Sequence, residues 1–178
     1  MLQKCSLIRV ASIFFNEPTK EHYLLGISRD IGLAHTSTKR YLDELKKKGI
    51  IKQRIEKKGK RMFPVYIANL DNSDFRKYKK IYNLYLIESS GLADFIKGEV
   101  MPKSLVLFGS FARGEDIESS DIDIFVESKK KDLDISHFEN MLNRKLQLHF
   151  KEHLKDYPRE LKNNIANGIV LGGYLEAF

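Results

Sequence analysis

Residues 105–126 read Leu105-Val106-Leu107-Phe108-Gly109-Ser110-Phe111-Ala112-Arg113-Gly114-Glu115-Asp116-Ile117-Glu118-Ser119-Ser120-Asp121-Ile122-Asp123-Ile124-Phe125-Val126, and the fold turns on how this stretch is read. Leu105 to Phe108 is a short, wholly apolar run bounded by turn residues, which predicts a buried strand rather than a core helix. At Gly109-Ser110 the missing Cβ lets backbone approach a ligand closely, and a helix opening from Phe111 onward would aim free N–H groups at an anion such as phosphate. Ser110 adds a hydroxyl donor, and Arg113 a guanidinium fork suited to phosphate oxygens.

Asp121 to Val126 predicts a second strand, in which Asp121 and Asp123 share one face while Ile122 and Ile124 take the other. Two carboxylates about 7 Å apart along a strand repel each other unless something positive lies between them, and hard oxygen ligands beside phosphates suit Mg²⁺. Alone, the pattern also fits an edge strand with a solvated acidic face. The Gly-Ser pair and Arg113 one loop upstream favour the ligand.

Gly109-Ser110-x-Ala112-Arg113-Gly114 followed by Ser120-Asp121-x-Asp123-Ile124-x-Val126 resembles the active-site signature of the minimal nucleotidyltransferase domains of the DNA polymerase beta superfamily. The resemblance implies a small mixed sheet flanked by helices, nucleotide-binding roles for Gly109, Ser110, Arg113 and Ser120, and catalytic Asp121 and Asp123 on Mg²⁺. It further implies transfer of a nucleotidyl group, usually AMP from ATP, with loss of pyrophosphate. One part departs from the pattern. The family takes a third carboxylate from a later strand; the run Arg144 to Phe150 aligns best with it, with Leu146, Leu148 and Phe150 as the core face and Gln147 where the acid is expected. An amide accepts a hydrogen bond but cannot take a proton as a general base must, so binding can survive where catalysis is weak. His149, Glu115, Asp116, Glu118 and Glu152 are the groups available to substitute, and the sequence does not choose among them.

The chain has 178 residues, room for one medium domain or two small ones, and its pattern favours two. Its net charge of +7 is unevenly placed: residues 1–70 hold 15 Lys and Arg against 6 Asp and Glu, a net of +9, and the remainder is −2. A basic front half beside a near-neutral back half points to a polyanionic partner for the front. The single Cys5 cannot form an internal disulfide and no apolar run approaches a membrane span, so a soluble cytoplasmic protein is expected. Met1-Leu2-Gln3-Lys4 and the apolar stretch behind it, interrupted by Arg9, do not read as a signal peptide.

In the front half, Leu7 to Phe15 predicts a core helix ending near Asn16-Glu17-Pro18. After a short extended piece at Tyr23-Leu24, a second helix covers Gly26 to Ile31, broken by Gly32, and a third covers Thr36 to Lys48 with Thr38, Tyr41, Leu42 and Leu45 on one stripe. Ile50 to Ile55 and Met62 to Ile67 predict two strands, with Ile51, Ile55, Phe63, Val65 and Ile67 facing a core and Lys57-Lys58-Gly59-Lys60-Arg61 as a basic tip. Ile27-x-x-x-Ile31-Gly32-Leu33 through Arg40-Tyr41-Leu42-x-x-Leu45-x-x-x-Gly49-Ile50-Ile51 resembles the winged helix-turn-helix domains of bacterial and archaeal transcription regulators, departing from them at Ala34, where a capping Ser is common. That resemblance implies a third helix in the major groove of double-stranded DNA, presenting His35, Thr36, Ser37, Lys39 and Arg40, and a wing carrying Arg54, Lys57, Lys58, Lys60 and Arg61. Winged helices also serve as protein-contact modules.

A helix over Ser73 to Ser89 should place Phe75, Tyr78, Ile81, Tyr82, Tyr85 and Leu86 on one broad face, as core or as a homodimer interface. A shorter helix at Leu92 to Lys97, an amphipathic helix from Asp134 with Ile135, Phe138, Met141 and Leu142 inward, and a last helix at Pro158 to Ala166 complete the expectation. Asn167 to Leu175 resembles the tail of the nucleotidyltransferase domains. The expected fold class is α+β: a winged helix-turn-helix over 1–70, a helical connector over 71–98 and a nucleotidyltransferase-like α/β domain over 99–178. The expected function is a DNA-binding transcription regulator that binds a nucleoside triphosphate with Mg²⁺. The alternatives are an active protein adenylyltransferase of the toxin–antitoxin kind, acting on a protein acceptor, and a pseudoenzyme serving as a structural or dimerising module.

Overall fold

Phe14, Val10 and Ala11 recur at helical spacing, and the segment around them folds as α1 (Ser6–Asn16) with that face buried. The computed structural model describes residues 5–176, and the chain divides into two units, Met1–Tyr78 and Lys79–Phe178. The stretch Met1 to Lys4, read above against a signal peptide, lies outside the described residues.

In the first unit, α1 is followed by β1 (His22–Tyr23), α2 (Leu24–Ile31) and α3 (His35–Lys47). Gly32, at φ +62°, lets the chain leave α2 in the left-handed conformation, with its N–H and that of Leu33 returning to carbonyls of the last turn. Helix α3 buries Thr38, Leu42 and Leu45 as the stripe predicts. A long hairpin follows, β2 (Ile51–Lys58) and β3 (Arg61–Ala68), turning at Gly59-Lys60. The sheet order is β1-β3-β2, all antiparallel. Strand β1 pairs only with Val65 and Tyr66, so Pro64 in the central strand has a pairing partner on the β2 side alone, at Ile55. Two expectations need correction: α2 opens at Leu24 rather than Gly26, and Ile55 is 53% exposed. The hairpin runs past its core at Ile51 and Val65, and Ile55 lies on the projecting part opposite Pro64.

The division between units falls inside α4 (Ser73–Ser90), whose first turn is capped by Asn72 through bonds from the N–H groups of Asp74 and Phe75 at 2.7 and 3.2 Å. The predicted aromatic face is only partly inward: Phe75 is buried, but Tyr78 and Ile81 stand 51% and 60% exposed. The buried stripe is Phe75, Lys79, Asn83 and Ile87, each four residues after the last.

The second unit continues with α5 (Leu92–Val100), β4 (Ser104–Phe108), α6 (Gly109–Arg113), β5 (Ile122–Glu127), α7 (Ser136–Leu142), β6 (Leu146–Lys151), a 3-10 turn at Leu154–Asp156, α8 (Arg159–Ala166) and β7 (Ile169–Gly173). The sheet order is β6-β5-β4-β7, parallel between β5 and β6 and antiparallel elsewhere, so the mixed sheet is as expected. A parallel pair needs a crossover, which α7 provides. Period-two alternation then sorts the side chains. Leu105, Leu107, Ile122, Ile124, Val126 and Leu146 enter one core, while Val106, Phe108 and Phe125 enter a smaller one on the opposite face with Leu154 and Ile165. Helix α6 begins at Gly109, two residues before the reading from Phe111, and lasts five residues. Met141 is 53% exposed, against the inward placement expected, while Ile135, Phe138 and Leu142 pack on the first core.

Candidate functional site

Because β5 alternates, Asp121 and Asp123 share the sheet face of Phe125, at the end where β4 delivers the chain into α6. The corner is tight. Gly109 has φ +76°, and a Cβ built there would lie 2.4 Å from Asp123 Oδ2, closer than nonbonded atoms tolerate. Only glycine combines that dihedral with that approach. What the missing side chain admits is therefore the Asp123 carboxylate itself, which brings an acid against the backbone that opens α6.

The parallel register sets Gln147 opposite Asp123 and His149 opposite Phe125. Their side chains reach back toward the acids: Gln147 Nε2 donates to Asp121 Oδ2 at 2.5 Å, and His149 Nε2 meets Asp123 Oδ1 at 3.0 Å. His149 stacks edge-on against Phe108, centroids 5.0 Å apart, so the ring is held between an aromatic wall and a carboxylate. Each acid of the pair thus has one nitrogen partner from β6, and the third-acid position is filled by an amide that is already bonded to Asp121. Among the described residues no group of three or more His, Cys, Asp or Glu is placed to hold a metal. Two carboxylates without a third fit a Mg²⁺ ion that arrives on a phosphate chain, since such ions take one or two carboxylates and complete their shell with phosphate and water oxygens. They do not fit a resident ion held by protein alone.

The remaining sequence-derived residues divide. Ser110 lies in α6, half-buried, and its carbonyl accepts from the Glu115 N–H at 3.0 Å. Ser120 Oγ accepts from the Ile117 N–H at 2.9 Å, closing the turn that delivers Asp121. Arg113 is exposed, but its Nε donates to Glu115 Oε2 at 2.7 Å, so a phosphate would have to compete with an internal carboxylate. Of the acids considered as substitutes for the third carboxylate, Glu115 is thereby engaged, and Asp116 is buried against Lys79 Nζ at 2.8 Å. Burial pushes the Lys79 ammonium below its ordinary range, while Asp116 pulls it back up. Sequence reasoning missed Lys79 and Asn83, which the reading of α4 by its aromatic face did not single out. A cleft of about 350 Å³ opens beside Asp121, lined by Ser119, Ser120, Asn143 and Arg144 among others.

In the first unit, His35, Thr36, Lys39 and Arg40 are exposed on the opening turns of α3, and Ser37 is half-buried. Arg40 lies on the Tyr41 ring at 5.0 Å. On the hairpin, Arg54 is paired with Glu21, and Lys58 is held by Glu56 and the Tyr23 hydroxyl, partners that keep both cations charged to higher pH. Lys57, Lys60 and Arg61 are exposed at the tip.

Residues 90–171, somewhat under half of the chain, match the family model described as the nucleotidyltransferase domain. The match contains the corner, the acid pair and Gln147, so this part of the second unit is similar to the nucleotidyltransferase domain. Among solved structures, a possible transcriptional regulator from Methanosarcina mazei Go1 is similar at 17% identity over 53% of this chain and 77% of that one, with a TM-score of 0.37. No curated protein matches the sequence. No helix of the described residues is long and apolar enough to cross a membrane.

Proposed function

We propose that the second unit binds a nucleoside triphosphate with Mg²⁺ and that the first binds double-stranded DNA, making the chain a nucleotide-responsive transcription regulator. The observation that carries the nucleotide reading is the closeness of the Asp123 carboxylate to Gly109, which joins an acid pair to a glycine-serine corner. In this reading the Gly109-Ser110 backbone and the Ser110 hydroxyl face the phosphates, with Ser120 and Arg113 at the margin, and Asp121 and Asp123 hold the metal. Bound there, Mg²⁺ would neutralise phosphate charge. Asp121 must then exchange its bond from Gln147, and Asp123 its contact with His149, for that charge.

The DNA reading rests on the +9 front half, the exposed start of α3 and the exposed Lys57, Lys60 and Arg61 at the hairpin tip. In this reading three helices and a basic hairpin act as a winged helix, with α3 in the major groove and the wing on the backbone. Phosphate contacts supply affinity, and the short polar side chains His35, Thr36 and Ser37 supply base contacts.

A second reading, transfer of AMP to a protein hydroxyl, is favoured by one contact. Unlike the Gln147 amide, the His149 imidazole bonded to Asp123 is of a kind that can take a proton, whereas Glu115 and Asp116 are engaged elsewhere. There the acceptor oxygen would bond to the α-phosphorus as pyrophosphate leaves, and the acceptor's proton would pass to the His149 imidazole, since Gln147 could not take it. Incubation with α-labelled ATP, Mg²⁺ and cell lysate separates the two. A regulator that only binds leaves every protein unlabelled, and a labelled protein band supports transfer. Thermal denaturation tests the shared premise: ATP with Mg²⁺ should raise the melting temperature, and Asp121→Ala with Asp123→Ala should abolish the rise.

A further inference from the structure

The buried stripe of α4 is apolar at its ends and polar in the middle. Lys79, Asn83 and Asp116 are 1%, 2% and 2% exposed. Lys79 Nζ donates to Asp116 Oδ2 at 2.8 Å, and Asn83 Nδ2 donates both to Asp116 Oδ1 at 2.7 Å and to the Phe111 carbonyl at 2.9 Å. Both oxygens of one buried carboxylate and one carbonyl of α6 are thus gripped from a single helix. A buried ion pair is a poor way to add stability, because its desolvation cost commonly cancels its attraction and apolar residues of like volume do as well or better. The neighbouring stripe position Ile87 shows that this helix face packs apolar side chains when only packing is required.

What the polar middle secures is the segment between the corner and the acid pair. Helix α6 has five residues, too few to be stable by itself. Beyond it the chain must reach Asp121 through Gly114 to Ser120, a stretch held locally by Glu115 N–H to the Ser110 carbonyl and by the Ser120–Ile117 turn. Asp116 ties that stretch into the interior, and the Phe111 carbonyl gives α6 a polar tie beside the apolar packing of the Phe111 and Ala112 side chains.

We propose that Lys79, Asn83 and Asp116 are positioning residues that set the spacing between the Gly109-Ser110 corner and Asp121, and through it the affinity for the metal-chelated nucleotide. This rests on the nucleotide reading of the corner given above. It assigns to α4, which lies outside the signature motif, a share in ligand affinity through geometry alone, because none of the three side chains is exposed to a ligand.

The test uses the full chain and separates positioning from stability. Lys79→Met alone leaves a buried carboxylate unpaired and should be strongly destabilised. Lys79→Met combined with Asp116→Leu replaces the pair by apolar volume and should recover most of the stability that Lys79→Met loses, short of wild type by the Asn83 bond to Asp116, yet bind MgATP about tenfold more weakly in a calorimetric titration, as a small misplacement suffices to do. Asn83→Ala, which removes the amide from both acceptors, is the second variant and should weaken MgATP binding in the same direction. A folded double variant that binds MgATP with unchanged Kd overturns the proposal; if the double variant does not fold, an unchanged Kd in Asn83→Ala does so. Wild-type protein that fails to bind MgATP overturns the nucleotide reading and this proposal together.

Discussion

Substituting Gly109 by alanine tests the corner in two ways at once. At φ +76° an L-residue with a Cβ costs about 1–2 kcal/mol relative to glycine. The new methyl would also sit 2.4 Å from Asp123 Oδ2, so the carboxylate has to swing aside and give up its 3.0 Å contact with His149. A lost hydrogen bond to a charged group adds about 1.5 kcal/mol, for a total near 3 kcal/mol. For a unit of this size the melting transition should fall by about 12–24 °C. Gly98→Ala is the control, since a Cβ there meets nothing within 4 Å and the residue lies inside α5. It should leave stability unchanged or raise it by about 0.5–1 kcal/mol. Differential scanning calorimetry of both variants, with and without ATP and Mg²⁺, reads the effect, and Gly109→Ala should also lose the nucleotide-induced rise. A Gly109→Ala protein that melts with wild type and keeps the rise would refute the tight corner.

Three further outcomes follow from the same geometry. Replacing Lys57, Lys60 and Arg61 with alanine should weaken DNA binding and reduce the slope of log K against log salt by up to about 2.7, if each cation neutralises one phosphate; a mobility-shift series over salt concentration measures this, and an unchanged slope counts against the wing. The Glu139 carboxyl is held below its ordinary value first by the Leu146 N–H and further by Lys145. Its stabilising contribution is therefore present above about pH 4.5 and lost as the pH falls through the depressed value, so Glu139→Gln should melt below wild type at neutral pH and converge with it as the pH falls below that value, as thermal scans across pH would show. Ile55→Thr should change stability by less than about 0.5 kcal/mol, as expected for a side chain on the projecting hairpin, and a larger loss in urea titration would place Ile55 in a core the structure does not give it.

The sheet of the second unit was legible because its signals are local and strong. Leu105 to Phe108 has no polar residue, β5 alternates, and period two alone carries Asp121, Asp123, Gln147 and His149 to one face. The face of α4 was not legible for a physical reason. Tyr78 and Ile81 look like core by residue type, and Lys79 and Asn83 look like surface, but the partner that makes the polar pair internal, Asp116, lies 37 residues from Lys79 along the chain. Helical periodicity holds no information about such a partner. Ile55 failed differently: its pattern is that of a core strand, but the hairpin outruns the helices that would cover it. Arg113 shows a third limit, since its suitability for phosphate is intrinsic while its engagement by Glu115 belongs to the folded loop. Strand β7 at Ile169–Gly173 was seen only as a familiar tail, because two of its five residues are glycines that carry little strand signal.

The acid pair and the corner either grip a metal-chelated triphosphate or they do not, and calorimetric titration of the full chain with ATP decides it most directly. Binding should be seen with Mg²⁺, disappear when EDTA removes the metal, and disappear again in the Asp121→Asn, Asp123→Asn variant while that protein keeps its fold by circular dichroism. Binding that persists in the variant, or no heat from wild type at millimolar ATP and Mg²⁺, would contradict the account.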